Sequence, residues 1–396
     1  MFRVRWGNPV MTAGALTLFH PECARLNLGP VSIPHYRTLQ LSGMLWYSSA
    51  RRTNAKNMAQ RLFRTTVTGS YPRPQQPGNT MKKPTLSRGE ADEIIRWAVK
   101  DQVEAGLDTV TDGEGRRENM YYFIQKRLDG ISFDQMEYRK YGPLGFGIDI
   151  AKVTGPLENP RFELAHDWKV ARDAAPSGVE VKLTCTGPHM LAKFSNNARP
   201  DLYPSDRALA EAYASVLRPE LEQLVRAGCE LIQFDEPAWT AFPEDAIWGA
   251  EVLNQLTDGL GARIGLHVCC GNAYRKRAYT TTYNDLIDAF RRVRVDQVVL
   301  EHCTLDYDMM KLWDAWDFRG EFAVGVIDQR SDAIETVDQI SARTAPALEH
   351  FSADRLLLTS ECGFQHVPLD ITRAKLRALA SGAAYLRHCE AQTPRP

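Results

Sequence analysis

The sequence predicts an α/β fold of a single large domain, a closed (β/α)₈ TIM barrel, and three observations lead to it. Short apolar or β-branched runs alternate with longer amphipathic stretches from residue 64 onward, which is typical of repeated βα units around a parallel sheet. Eight such runs occur, and the 396 residues suffice for a barrel. An open doubly wound sheet is the competing architecture, but no Gly-rich phosphate-binding motif follows any run, so its nucleotide-binding form has no support.

The elements can be placed in order along the chain. The eight predicted strands are 65–70, 109–112, 181–186, 231–235, 264–269, 297–301, 322–326 and 356–360. The predicted helices between them include 87–105, 206–227, 246–260, 332–351 and 371–386. The stretch 131–177 breaks this rhythm, and we expect it to be an excursion between strands 2 and 3 that forms a hairpin over the barrel mouth.

Residues 1–63 differ from the rest of the chain. They contain eight basic residues against one acid, Glu22, and no hydrophobic period persists. We expect a disordered leader there and the barrel domain over 64–390. An Arg-rich, acid-poor leader is one form of organelle-targeting peptide, but the scattered Trp6, Trp46 and Cys23 fit that poorly. The preferred interpretation is a start codon placed too far upstream, with Met58 as the true start.

Composition and charge narrow the classes of partner. Lys and Arg number 48 against 49 Asp and Glu, so there is no electrostatic argument for nucleic acid or an anionic membrane as a partner. Eight cysteines without a signal peptide predict reduced thiols in the cytoplasm, some of which bind metal. No apolar run approaches the roughly 18 residues that a membrane span requires. A small substrate is therefore the expected ligand.

Nearly every predicted strand ends in a residue that a hydrophobic core would not accommodate. In a barrel the carboxyl ends of all strands meet at one mouth, where catalytic residues lie. The sequence therefore predicts one polar site. Its members, in strand order, are Ser70, Asp112 and Glu114, Asp235 and Glu236, His267 and Cys269, Glu301, Asp328, and Glu361 and Cys362.

Four of these residues form a possible zinc ligand set. His267 and Cys269 occupy alternate positions of one strand, so both side chains point the same way. Glu301 and Cys362 complete a set of nitrogen, oxygen and two sulfur donors that Zn²⁺ accepts tetrahedrally. Coincidence is the alternative, since buried cysteines are common and often inert. Two thiolate ligands favour activation of an incoming thiol over hydrolysis, which predicts alkyl transfer to sulfur.

Several longer motifs support this interpretation. They are 65–70 (TTVTGS), 112–114 (DGE) with 118–120 (ENM), 186–188 (TGP), 235–238 (DEPA), 267–269 (HVC), Glu301 and 361–363 (ECG). From about residue 64 to residue 386 the chain resembles the cobalamin-independent methionine synthase family, specifically its catalytic C-terminal barrel. The resemblance implies a TIM barrel that binds zinc through the four ligands named above.

The same resemblance implies a substrate site. Ser70, Glu114 and Asp235 would hold homocysteine through its carboxylate and ammonium groups, and two carboxylates at a barrel mouth suit an amino group. The alternative interpretation is that Asp235 and Glu236 cap the loop between strand and helix.

The sequence departs from the family pattern at three points, which concern the methyl donor and the residue that acts as the acid catalyst. Full-length synthases carry a second, N-terminal barrel that helps to bind methyl-folate, whereas only the leader precedes the barrel here. Residues 189–193 look more like the relatives that alkylate coenzyme M with epoxides. The synthases have Asp-Ile-His-Ser, with His as a proton relay, where this chain has 328–331 (DQRS), so Arg330 either binds an anionic substrate or faces solvent. The residues that remain as candidates for proton transfer in catalysis are His189, His302, His366 and Asp328. The alternative interpretation of each histidine is that it only packs against its neighbours.

Three functions remain open at this stage. The leading hypothesis is zinc-dependent transfer of a methyl group from methyl-folate or another donor to homocysteine. The second is alkylation of coenzyme M or another small thiol by an epoxide or a similar electrophile. The third is a barrel that binds a structural metal and has no catalytic turnover.

Overall fold

The structure is a computed structural model, and it describes residues 62–74, 86–141, 146–272 and 275–392. Residues 1–61 of the predicted leader, including the proposed start at Met58, lie outside the described residues.

The strands and helices of the described ranges follow one another along the chain much as the sequence predicts. The strands are β1 (Arg64–Thr65), β2 (Thr109–Val110), β3 (Asp129–Tyr141), β4 (Phe146–Glu158), β5 (Glu180–Val181), β6 (Leu183–Thr186), β7 (Ser195–Asn197), β8 (Leu231–Asp235), β9 (Arg263–Val268), β10 (Gln297–Glu301), β11 (Glu321–Ile327) and β12 (Leu356–Ser360). The α-helices are α1 (Arg88–Glu104), α2 (Tyr122–Gln125), α3 (Leu164–Ala174), α4 (Pro188–Lys193), α5 (Asp206–Arg226), α6 (Ala238–Ala241), α7 (Ala246–Thr257), α8 (Ile287–Arg292), α9 (Lys311–Ala315), α10 (Val337–Thr344) and α11 (Leu369–Gln392).

The strands form a parallel barrel. Seven of them hydrogen-bond in the order β1-β12-β11-β10-β9-β8-β6, and β2 pairs in parallel with β5. A break at Lys182 divides the third barrel strand into β5 and β6, so these two ladders are continuous. Each barrel strand is buried on both faces, which explains why the strands appear in the sequence as continuous apolar runs. The (β/α)₈ barrel predicted from the sequence is confirmed.

Side chains join the first and second barrel strands. The backbone N and Oγ1 of Thr65 donate to Asp108 Oδ2 at 2.8 and 2.9 Å. Thr111 Oγ1 donates to the carbonyl of Gly69 at 2.7 Å. Because these bonds replace a backbone ladder, β1 and β2 are shorter than the predicted strands 65–70 and 109–112. Hydrophobic periodicity in the sequence cannot predict strand contacts that are made by side-chain hydrogen bonds.

The excursion between the second and third barrel strands contains a hairpin. Strands β3 and β4 pair antiparallel, and β7 adds to β4 in parallel. The ring of Tyr141 stacks on Phe194 with centroids 4.4 Å apart, and its hydroxyl donates to the carbonyl of Lys193 at 3.1 Å. The hairpin therefore packs against the segment that follows α4, at the carboxyl end of the barrel.

One helix is shorter than its predicted range of 332–351. Helix α10 begins only after Thr336, whose side chain accepts from the backbone N of Gln339 and completes a capping box. The residues after α10 continue as the 3₁₀ turn Ala345–Glu349, which has a proline in its first turn. Among the described residues, none of the helices combines the length and the apolar character needed to span a bilayer.

Candidate metal and thiol site

A cavity lies at the carboxyl ends of the barrel strands, where the sequence places its polar residues. The polar part of its lining includes Ser70, Glu114, Asp235, His267, Cys269, Cys362 and His366. The apolar part includes Met120, Tyr121, Met190, Phe194 and Tyr279. Seven of the predicted site residues therefore border one space.

Three of the predicted metal ligands meet in the wall of this cavity. His267 and Cys269 come from the end of β9, and Cys362 follows β12. One potential ligand atom from each residue lies within 4.8 Å of the other two, and the sulfur atoms of Cys269 and Cys362 are 3.9 Å apart. Two sulfurs each about 2.3 Å from a tetrahedral zinc ion would be about 3.8 Å apart, so the spacing fits that metal.

The ring of His267 is oriented for ligation. Its Nδ1 lies 2.9 Å from the carbonyl oxygen of Val299, which accepts its proton. Its Nε2 is buried and has no hydrogen-bond partner among the described residues. A buried polar atom without a partner is unusual and calls for a ligand or an ion. The arrangement leaves Nε2 as a lone-pair donor, as metal-binding histidines require.

The two thiols are electrostatically coupled. The pKa of the Cys362 thiol is held well below its usual range, mainly by the hydrogen bond between it and the Cys269 thiol and then by the His267 ring. The same bond raises the pKa of Cys269. The contact between the two sulfurs, beside an imidazole, therefore favours the thiolate form of Cys362.

Glu301 lies beside this cluster but is not grouped with it. It is completely buried at the end of β10, and its Oε1 accepts from the backbone N of Cys270 at 2.8 Å and from the Asn272 side chain. Its Oε2 has no hydrogen-bond partner among the described residues. The carboxylate is not among the atoms that meet within 4.8 Å of one another. Its role as a fourth ligand stays a prediction.

Two carboxylates, those of Glu114 and Asp235, also line the cavity. Glu114 has a positive φ of 53°, and its Oε1 accepts from Thr184 Oγ1 at 3.2 Å. A side chain on Gly69 would bring its Cβ within 2.4 Å of that oxygen and would force this carboxylate to move. Burial raises the pKa of Asp235 to about 7, and Gln233 donates to its Oδ1 at 2.8 Å.

Glu236, next in sequence, has a different role. Its two carboxylate oxygens accept from the backbone N of His189 at 3.0 Å and of Met190 at 2.8 Å, which caps helix α4. A Cβ on Gly187 would lie 2.0 Å from Glu236 Oε1. The capping alternative considered for the pair therefore applies to Glu236, while Asp235 borders the cavity.

The candidate proton-transfer residues are placed very differently. His366 lines the cavity, whereas His189 is completely buried outside it, with its ring 4.6 Å from that of Trp248. Asp328 accepts from the backbone N of Arg330 at 2.8 Å and organises the loop after β11. His302 is mostly buried, and burial lowers its pKa. Of these four residues, His366 is the one that lines the cavity.

Arg330 is neither a cavity residue nor a solvent-facing one. Its Nη2 donates to Glu361 Oε2 at 2.9 Å and lies 3.7 Å from Glu301 Oε2, while its Nε is 3.7 Å from Asp328 Oδ1. Glu361 also accepts from the backbone N of Thr304 at 2.7 Å and from its hydroxyl. The guanidinium thus balances the charge of three carboxylates, an arrangement not anticipated from the sequence.

Loss of the Arg330 guanidinium should destabilise the protein. Arg330→Met leaves the fully buried Glu361 carboxylate without its charged donor, and we expect the free energy of unfolding in urea to fall by about 1.5 to 3 kcal/mol. Arg319→Met is the matched control, because Arg319 and its partner Asp317 are both 78% exposed. Equal stability of the two variants would contradict this account of Arg330.

Sequence reasoning also missed polar residues inside the barrel. Lys182 and Gln233 are completely buried, and Arg117 is 4% exposed with its guanidinium on Thr184 Oγ1 at 3.0 Å. A charged residue within an otherwise apolar run, as in 181–186 (VKLTCT), was the available indication. Strand alternation places Gln233 on the same face as Asp235, which indicates a contact between them.

The cavity lies at the carboxyl ends of the strands of a parallel eight-stranded barrel, which is where enzymes of this fold have their active sites. Comparison with known families agrees: residues 63–385 match the model described as the catalytic domain of cobalamin-independent synthase. The chain belongs to this family and is an enzyme of the methionine synthase type, as the resemblance predicted.

Individual relatives support the assignment. The chain is 28% identical over 337 residues to a methionine synthase of Saccharolobus solfataricus, covering 82% of this chain and 95% of that protein. It is 30% identical over 338 residues to a methionine synthase of Sulfurisphaera tokodaii, covering 82% and 93%. The structure of a B12-independent methionine synthase from Shewanella sp. W3-18-1 in complex with selenomethionine superposes with a TM-score of 0.75 at 27% identity, covering 84% of this chain and all of that one.

The lengths of these relatives can be compared with the expectation that full-length synthases carry a second, N-terminal barrel. A match covering 93 to 95% of the two curated proteins leaves no length in them for another barrel. A single barrel is therefore compatible with the name methionine synthase in this family.

Proposed function

We propose that this protein is a zinc-dependent methyltransferase that transfers a methyl group to the thiol of homocysteine and so forms methionine. The observation that carries the proposal is the juxtaposition, in one cavity, of a cluster of metal donors with two carboxylates. The donors are His267, Cys269 and Cys362, and the carboxylates are Glu114 and Asp235. A small amino thiol has a reactive end and a cationic end that match these two groups.

The metal would be held by His267 Nε2 and by the sulfurs of Cys269 and Cys362. Glu301, whose Oε2 has no hydrogen-bond partner among the described residues, would be the fourth donor. Zinc in such a set supplies one property, a lowered pKa of an incoming thiol, so that the substrate reacts as a thiolate. Cys362 is only partly buried, which leaves the cluster accessible from the cavity.

The protein's own residues would orient the substrate. Glu114 and Asp235 would bind the ammonium group, and Ser70 would donate a hydrogen bond to the carboxylate. The selenomethionine bound to the Shewanella relative supports an amino-acid site, because that ligand is the selenium analogue of methionine. Held at both ends, the sulfur would be aligned with the methyl carbon for in-line attack.

The methyl donor would bind against the apolar residues of the cavity lining. Met120, Tyr121, Met190, Phe194 and Tyr279 offer a surface for a flat carrier group and exclude water. Neither Lys nor Arg lines the described part of this cavity, so a polyanionic tail would have to bind outside it. His366, which lines the cavity, would give a proton to the departing carrier.

The direct test is product formation. The zinc-loaded protein is incubated with homocysteine and, separately, with methyl-tetrahydrofolate, its polyglutamylated form and other methyl donors, and methionine is quantified by mass spectrometry. We expect methionine from at least one donor and none from protein stripped of metal. A zinc-loaded protein that binds homocysteine but makes no methionine from any donor would reject the proposal.

The alternative of coenzyme M alkylation has lost its main support. It depended on Arg330 as a binding site for a sulfonate, and that guanidinium contacts Glu361, Glu301 and Asp328 instead of lining the cavity. His189, the first residue of the stretch that resembled those relatives, is buried outside the cavity.

A further inference from the structure

A polar chain runs through the barrel interior directly beneath Asp235. Lys182, at the break between β5 and β6, is completely buried, and its Nζ donates to Gln233 Oε1 at 2.7 Å. Gln233 is also completely buried, and its Nε2 donates to Asp235 Oδ1 at 2.8 Å and to the carbonyl of Thr68 at 2.7 Å. The ammonium group is therefore joined to a cavity carboxylate through a single amide.

The ammonium group fixes which way this amide faces. An ammonium group has donors and no acceptor, so it can bind only the oxygen of the Gln233 amide. The NH₂ group must then face Asp235 and Thr68, both of which present acceptors. The reverse orientation would set the amide oxygen against a carboxylate and the NH₂ group against an ammonium. With Lys182 in place, only one orientation satisfies every group.

This orientation determines how Asp235 meets a ligand. The bond from Gln233 occupies Oδ1 and sets the plane of the carboxylate, which leaves Oδ2 to accept from a group in the cavity. Asp235 lies in adjacent strand register with His267, so a small rotation of its carboxylate changes the distance between the amino site and the metal donors. Fixing that plane is a contribution to substrate recognition.

We propose that Lys182 is a positioning residue for recognition of the substrate amino group, acting through the amide of Gln233 on the carboxylate of Asp235. The inference rests on the proposed function, since it takes the ligand to be an amino thiol. Lys182 itself touches no substrate, because its side chain is completely enclosed by the barrel.

The competing explanation is that Lys182 has a purely structural role. The free energy of burying a charged side chain argues against it. Burial lowers the pKa of Lys182 to about 8, which shows that the site disfavours the charged form. A methionine of similar length would fill the same space without that cost, so core packing alone gives no reason for a lysine. A role in orienting Asp235 does give one.

The test compares two thiols. Dissociation constants of the zinc-loaded protein are measured by calorimetry for homocysteine and for 4-mercaptobutanoate, which lacks the amino group. The ratio of the two constants reports recognition of the amino group alone. In Lys182→Met we expect homocysteine to bind about tenfold more weakly while the analogue changes little, because one charge-assisted hydrogen bond to the ammonium is weakened. Lys182→Gln provides a second neutral variant if Lys182→Met does not fold.

A double-mutant cycle tests the route through the amide. If Lys182 acts on Asp235 by orienting Gln233, then Lys182→Met combined with Gln233→Met should cost no more selectivity than Gln233→Met alone. Lys375→Met is the matched control, because Lys375 is also completely buried but is paired with Glu335 outside the cavity. It should leave the ratio unchanged.

The outcomes are separable. The inference is overturned if Lys182→Met keeps the wild-type ratio, if it weakens both thiols equally, or if the two substitutions have additive effects. A wild-type protein that does not distinguish homocysteine from the analogue would instead reject the proposed substrate, and this inference with it.

Discussion

Cys362→Ala is expected to abolish both zinc retention and methyl transfer. The substitution removes one of three donors that meet within 4.8 Å, and the two that remain, His267 and Cys269, leave an incomplete coordination shell. Metal content should fall from about one zinc per chain to nearly none, and turnover should fall by roughly a thousandfold or more, since metal activation contributes several kcal/mol. Metal analysis of dialysed protein and the methionine assay measure the two effects.

Cys229→Ala is the matched control for this substitution. Cys229 is a buried cysteine whose thiol lies 3.4 Å from the carbonyl of Leu231, on the segment that leads into β8. We expect this variant to keep its zinc. A Cys362→Ala protein that also retains one zinc per chain would contradict the proposed ligand set. X-ray absorption then addresses catalysis: a sulfur that replaces an oxygen when homocysteine is added indicates a working site, and an unchanged shell indicates a structural metal.

Asp235→Asn is expected to weaken homocysteine binding by about 10- to 100-fold with a smaller effect on kcat. The substitution keeps the shape of the side chain but removes the charge that would face the substrate ammonium, and a hydrogen bond between charged groups contributes about 1.5 to 3 kcal/mol. Steady-state kinetics with varied homocysteine separate KM from kcat.

Asp328→Asn provides the comparison for this prediction. Asp328 directly follows barrel strand β11, but it accepts from the backbone N of Arg330 at 2.8 Å and does not line the cavity. We expect its KM to remain near that of the wild type. An Asp235→Asn enzyme whose KM is also unchanged would place the ammonium site elsewhere in the cavity.

The sequence predicted the barrel well because each of its strands is buried on both faces and so appears as a continuous apolar run. It failed where side chains replace backbone pairing. Asp108 and Thr111 join the first two strands through side-chain hydrogen bonds, and no periodicity marks such contacts. The result was two predicted strands longer than the ladders that β1 and β2 form.

For the site, the sequence predicted which residues gather at the mouth but not what their neighbours do. Strand alternation was enough to place His267 and Cys269 on one face. It was not enough to predict the partners of Arg330, because Glu361 follows a different strand of the barrel. The adjacent acids of 235–236 show the same limit: one borders the cavity and the other caps a helix, and the capping amides belong to a segment almost fifty residues earlier.

The way the barrel closes has a consequence for biosynthesis. The first and last strands, β1 and β12, pair with each other, and the backbone N of Phe364 donates to the carbonyl of Ser70 at 2.8 Å. Cys362 follows Cys269 by 93 residues, a length that a ribosome takes about 5 to 20 seconds to add. During that interval the growing chain exposes one sulfur and one imidazole of a site it cannot yet assemble. The three donors proposed to hold the metal can therefore come together only after β12 and Cys362 have been translated.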